Sequence, residues 1–202
     1  MTDFSLEDQC DGIVCGLDEV GRGPLAGPVV AACVVIPKDK RMLDFISEIQ
    51  DSKKQSLKKR EELYDKITMH FPYAISEITP EEIDDINILQ ASLKAMKTAH
   101  DTLDNIEYAL VDGNKAPQLS SQTTTVVKGD SKSKTIAAAS IIAKVHRDRI
   151  MLALSKQYPH YGWSSNSGYP TKQHRAAIQE HGITPHHRKS FAPVRNFIES
   201  QQ

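Results

Sequence analysis

Two successive carboxylates, Asp18 and Glu19, follow an apolar run of Ile13, Val14, Cys15 and Leu17. Directly after them comes Val20-Gly21-Arg22-Gly23-Pro24-Leu25-Ala26-Gly27-Pro28. The apolar run reads as a strand, which puts both acids at its end or edge. Adjacent acids at such a place oppose folding, because a desolvated carboxylate is costly unless something positive neutralises it. Successive strand residues also point to opposite faces, so both acids reach one site only if the backbone bends there, and the glycines permit a bend. A hard divalent cation, which takes oxygen ligands, is the neutraliser this pattern calls for.

The same arrangement recurs twice. Asp112 follows Ala109-Leu110-Val111 and precedes Gly113, and Asp130 follows Val126-Val127-Lys128-Gly129 at the start of a long helical pattern. Taken singly, Asp112 reads as a turn aspartate and Asp130 as a capping acid. Taken together they place acid beside glycine at three strand ends, where sites form in open α/β sheets. Four converging carboxylates would raise one another's pKa by repulsion. Divalent ions remove that conflict, and two of them would activate a water and stabilise a leaving oxygen in phosphoryl chemistry. Gly21-Arg22-Gly23 reads either as a tight turn or as a loop whose main chain approaches a ligand closely, with arginine offering a fork to phosphate.

Around these motifs the pattern predicts strands over Ile13 to Leu17, Val29 to Ile36, Phe71 to Ile78, Tyr108 to Val111 and Thr123 to Val127. Helical spacing covers Met42 to Ile49, Leu57 to Met69, Ile88 to Leu103, Lys134 to Gln157 and, as the last helix, Lys172 to His181. Thr79-Pro80-Glu81-Glu82 has the form of a capping box. The prediction is α/β: a mixed sheet with helices packed against it, in one domain over 1–202. Residues 156–202 form its mostly helical C-terminal extension.

Three cysteines without metal-site spacing suit a reduced, cytoplasmic setting. The longest apolar run, Val29 to Ile36, is too short to cross a membrane, and residues 1–11 lack the pattern of a signal peptide. The formal charge of -1 speaks against a nucleic-acid binder only on average. Basic residues cluster at Lys53, Lys54, Lys58, Lys59 and Arg60, at Lys128, Lys132 and Lys134, and at Arg188, Lys189 and Arg195. On one face these would make a positive patch, and separately they are solvated helix faces. Asp148, four residues after Lys144, reads as half of a helix-surface ion pair and stays outside the catalytic set. Tyr158, Tyr161, Trp163 and Tyr169 read as subdomain packing, except that Tyr169 in a glycine-containing loop suits stacking on a sugar or base. His174, His186 and His187 show no metal-ligand pairing.

These stretches resemble bacterial ribonuclease HII, the type 2 ribonucleases H. The resemblance is carried by Gly16 through Val29, by Asp51-Ser52-Lys53-Lys54, by Val111-Asp112-Gly113-Asn114 and by Lys128-Gly129-Asp130. It continues through Ile136 to Val145 with Arg147-Asp148, then Gly162-Trp163, Asn166, Gly168-Tyr169 and Thr171, in family order over nearly the whole chain. It implies a ribonuclease H-like fold, with a five-stranded mixed sheet flanked by helices and a helical C-terminal extension. It implies an endonuclease that uses Mg2+ or Mn2+, and the chain is expected to be cytoplasmic and monomeric. Such an enzyme cuts the RNA strand of RNA–DNA hybrids and nicks 5′ of ribonucleotides embedded in duplex DNA, leaving 3′-hydroxyl and 5′-phosphate ends. Carried over by motif, Asp18, Glu19, Asp112 and Asp130 are the catalytic, metal-binding acids. Gly21, Arg22 and Gly23 are the loop that senses the 2′-hydroxyl, and Tyr169 packs against the sugar at the junction. Gln55 stands where the family often has leucine. A metal-dependent phosphatase or exonuclease on a related sheet, and a non-catalytic module that binds nucleic acid, are the alternative readings.

Overall fold

The computed structural model describes residues 2–52 and 55–202, so Lys53 and Lys54 of the first basic cluster lie outside the described residues. Five strands, β1 (Val14–Val20), β2 (Val29–Val35), β3 (Tyr73–Ile78), β4 (Tyr108–Asp112) and β5 (Gln122–Val126), form one sheet in the order β3-β2-β1-β4-β5. β1 pairs antiparallel with β2 and β2 with β3, whereas β1–β4 and β4–β5 are parallel. The sheet is therefore mixed, as expected. The helices are α1 (Leu57–His70), α2 (Pro80–Ile86), α3 (Ile88–Asp101), α4 (Lys134–Gln157), the single turn α5 (Trp163–Asn166), α6 (Lys172–His181) and α7 (Ala192–Ser200).

Apolar β2 is buried along its whole length because helices cover both faces of the sheet. On one side Val30, Ala32 and Val34 pack against Ala138, Ile141 and Ile142 of α4, with Leu63 and Ile67 of α1 behind. On the other, Leu17, Ala31 and Cys33 pack against Ala91, Ala95 and Ala99 of α3. The alanine-rich start of α4 brings its backbone against β1. A side-chain carbon on Gly16 would overlap the carbonyl of Thr135 and the nitrogen of Ile136. Glycine is therefore required there for close approach.

The C-terminal segment has its own apolar cluster of Tyr161, Trp163, Ile178 and Val194. Leu25, Ala26 and Met151 join this cluster to the glycine loop and α4.

Three elements differ from expectation. Met42 to Ile49 contains a 3-10 stretch over Asp44–Glu48 in place of an α-helix. The reason lies far away in sequence: the Lys134 ammonium donates to the carbonyls of Ile46 and Ile49, at 2.9 and 2.7 Å, and meets needs that further helical turns would otherwise serve. Lys172–His181 is not the last helix, because α7 follows with proline in its first turn. Tyr158 to Pro170 is less irregular than expected and holds a 3-10 turn and α5.

Candidate active site

β1 runs on to Val20, so the acids do not sit at a bend. Asp18 and Glu19 are within the strand, opposite Ala32 and Ala31 of β2, and the turn comes after them at Gly21, whose φ is 93°. Pairing with β4 stops at Leu17 and Val111, which leaves Asp18 and Asp112 as the next residue on each of two parallel neighbours. Asp18 faces α4, where the Ser140 hydroxyl donates to it. Glu19 points the opposite way and lines a cleft of about 230 Å³ with Arg22, Asp112 and Lys115, walled by Leu93 and Met96. Both acids nevertheless feel the charge of Asp112 at the end of β4.

The electrostatics follow from this placement. Burial pushes the Asp18 carboxyl well above the usual carboxylate range, and the charges of Glu19 and Asp112 push it further. Burial also raises Glu19. Arg22, 3.4 Å away, opposes that shift, and Asp112 adds to it. Asp112 accepts the main-chain N–H of Gly129 at 2.6 Å, which ties the end of β4 to the turn that carries Asp130. The Asp130 residue is 7% exposed.

Among the described residues no three carboxylate, imidazole or thiol groups are close enough to form a ready metal cage. The donor set is nevertheless made of carboxylate oxygens, and the mutual repulsion of Asp18, Glu19 and Asp112 is the charge conflict that a hard divalent ion relieves.

Gly21, Arg22 and Gly23 follow β1 directly, and Tyr169, 44% exposed, lies over Gly23. A carbon added at that glycine would sit 3.4 Å from the tyrosine ring. The structure thus brings Asp18, Glu19, Asp112, the glycine loop and Tyr169 to one end of the sheet, with Asp130 just beyond Gly129.

Four residues that sequence reasoning did not assign to the site support it. Arg188, read as part of a surface cluster, is fully buried and donates to the carbonyls of Gly21, Arg22 and Gly27 at 2.6, 3.1 and 2.8 Å. Arg147 is likewise buried and donates to Pro28, Ala26 and Ser167 carbonyls at 2.9, 3.0 and 3.0 Å. These two guanidiniums shape the loop from behind. Ser140 and Ser52 have hydroxyls 3.0 Å apart. The Asp51-Ser52 motif therefore reaches Asp18 through Ser140. Lys134, the third member of its basic cluster, is buried as described above and is not a surface contact.

The model of the family described as ribonuclease HII matches residues 15–194. A ribonuclease HII from Wolbachia pipientis subsp. Culex pipiens is 50% identical, over 96% of this chain and 97% of its own. Among solved structures, the ribonuclease H2 of Pyrococcus horikoshii OT3 aligns with a TM-score of 0.78 at 28% identity, covering 93% of this chain and 98% of its own. Bst-RNase HIII, solved in complex with Mn2+, shares the fold at 16% identity and a TM-score of 0.68, over 94% of this chain and 70% of its own.

Proposed function

The chain belongs to the ribonuclease HII family and is an endoribonuclease acting on RNA–DNA hybrids, and from that premise we propose how its residues divide the work. Divalent-metal dependence is characteristic of the family. Asp18, Glu19, Asp112 and Asp130 are the catalytic acids and hold Mg2+ or Mn2+. The observation that carries this reading is the crowding of Asp18, Glu19 and Asp112 at one sheet end, where each charge raises the cost of its neighbours. That Bst-RNase HIII was solved with Mn2+ supports the choice of ion. When bound, such an ion supplies an activated water and stabilises charge on the scissile phosphate.

The chain's own groups do the rest. Burial and the neighbouring charges raise the Asp18 pKa, a cost that a bound cation would offset. Ser140 and Ser52 hold the Asp18 oxygen in place. Arg22, half-exposed and only loosely paired to Glu19 at 3.4 Å, turns its fork to a backbone phosphate. Gly21 and Gly23 let the main chain approach the ribose 2′-hydroxyl, and Arg147 and Arg188 keep those carbonyls and amides pointed. Tyr169 packs against the sugar beside the cut.

The enzyme hydrolyses the RNA strand of hybrids and nicks 5′ of ribonucleotides embedded in duplex DNA. It is a single catalytic domain whose segment 156–202 delivers Tyr169, and it works as a cytoplasmic monomer. Among the described residues no helix is long and apolar enough to cross a membrane.

Mapping the ends produced from a labelled DNA duplex with one ribonucleotide tests this. A cut 5′ of the ribonucleotide with 3′-hydroxyl and 5′-phosphate ends, seen only with Mg2+ or Mn2+, is the expected result. A cut elsewhere, or one that persists in chelator, refutes it.

A further inference from the structure

The loop that carries Tyr169 is anchored to a buried pair of histidines. Nδ1 of His174 lies 3.0 Å from the Tyr169 carbonyl oxygen. A carbonyl can only accept, so Nδ1 carries the proton and Nε2 must accept. Nε2 takes the indole N–H of Trp163 at 3.0 Å and faces Nε2 of His187 at 3.1 Å. His187 therefore holds its proton on Nε2. Its Nδ1 accepts the main-chain N–H of Thr184 at 2.9 Å, with the Thr184 hydroxyl 3.0 Å away. Both rings are neutral and each ring hydrogen has a defined acceptor. Trp163, His174 and His187 are buried.

An apolar residue at position 174 would fill the same volume without the burden of a desolvated ring. What the imidazole adds is a directed bond to Tyr169. That carbonyl also receives the N–H of Thr171 at 2.8 Å, and the Tyr169 N–H donates to Asn166 at 2.8 Å. One residue earlier, Gly168 adopts φ 85° and presses against Ala26, where a side-chain carbon would sit 2.6 Å from the carbonyl oxygen. Leu25 donates its N–H to the Gly168 carbonyl at 2.8 Å. The main chain at 168–169 is thus fixed to the glycine loop, while the Tyr169 ring stays exposed over Gly23.

We propose that His174 is a positioning residue for recognition of the RNA–DNA junction: its Nδ1–H sets the Tyr169 carbonyl, and with it the angle at which the ring meets the sugar. His187 and Thr184 fix the tautomer that makes this possible. The inference rests on the reading of Tyr169 given under the proposed function.

Two substitutions separate positioning from packing. In His174→Gln, the side-chain oxygen replaces the Nε2 acceptor, so Trp163 and His187 keep a partner while the bond to Tyr169 is lost. In His174→Asn, an N–H remains near the Nδ1 position while the Nε2 acceptor is lost. The readout is the ratio of kcat/KM on a duplex with one ribonucleotide to kcat/KM on a uniform hybrid, with Tm measured alongside. His174→Gln is expected to lower the ratio by about 3- to 10-fold, the worth of one buried hydrogen bond. His174→Asn is expected to keep the ratio near the wild-type value while lowering Tm. On a Tyr169→Ala background, His174→Gln should change the ratio no further, because both act through one contact.

A wild-type ratio in His174→Gln, or an undiminished effect of it on the Tyr169→Ala background, overturns the proposal. If Tyr169→Ala lowers the ratio and His174→Gln does not, this inference alone fails. If Tyr169→Ala leaves the ratio unchanged, the reading of Tyr169 fails and takes the inference with it.

Discussion

Asp18 sits in the least favourable place for a charge in this fold, buried in β1 with two other carboxylates nearby. Its pKa is raised on folding, so its contribution to stability is fully present below the unfolded value of 3.8 and is lost as pH rises through the folded value. At neutral pH without metal it therefore opposes folding. Asp18→Asn is expected to raise the Tm of the metal-free protein, by on the order of 1 kcal/mol in stability, while abolishing cleavage. Melting curves in chelator and a duplex assay read both effects, and a lowered Tm would show that the carboxylate is a structural group. The acids were legible in the sequence because each follows an apolar run with glycine within two residues, a local pattern. Their supports were not. Arg188 reads as a surface cation by its neighbours in sequence, yet it reaches carbonyls at Gly21 and Gly27, which only the folded chain brings near. Arg188→Met should leave those carbonyls unsatisfied, cost about 3 kcal/mol and reduce activity. Denaturant titration beside the cleavage assay measures this, and full stability in the variant would mean that the bonds contribute little.

α4 shows how far pattern carries an element. Its bounds match the helical spacing from Lys134 to Gln157, and its alanines forecast close packing on the sheet. The partner of that packing, Gly16, was visible only as part of a motif. Gly16→Val would force α4 off β1 and is expected to cost about 3 kcal/mol or more, with loss of the Ser140 bond to Asp18 and therefore of activity. A variant with unchanged Tm would contradict the contact.

The 3-10 stretch at Asp44–Glu48 shows the opposite case, since a distant lysine decided its form. In the C-terminal segment, burial and the nearby His174 ring push the His187 imidazole down to about 3. A lowered folded pKa means that the unfolded state takes up the proton first, so stability falls as pH drops below the unfolded value of 6.5 toward 3. Substituting His187→Gln should flatten the dependence of Tm on pH between about 6.5 and 4. A slope equal to wild type would assign that dependence to other groups.

The net charge of -1 conceals a division of labour across the surface. Lys134 and Arg188 are buried and structural, whereas Lys128, Lys132 and Lys189 remain exposed. Affinity for duplex substrates is expected to fall linearly in log–log form with added salt, as phosphate contacts release counterions. A salt-insensitive affinity would remove the phosphate contacts as its main source.

The α/β class, the mixed sheet and the sheet end bearing the acids follow from hydrophobic periodicity. RNA specificity and the side of cleavage do not, and they came from the family resemblance. Carboxylates gathered at one point to serve a divalent ion are the basis of the proposed function. The most direct test is the single-turnover cleavage rate of a duplex with one ribonucleotide, as a function of Mg2+ or Mn2+, for the wild type and for Asp112→Asn. The variant is expected to keep its circular dichroism spectrum and Tm while cleaving slower by orders of magnitude at every metal concentration. A variant that cleaves at the wild-type rate would contradict the account.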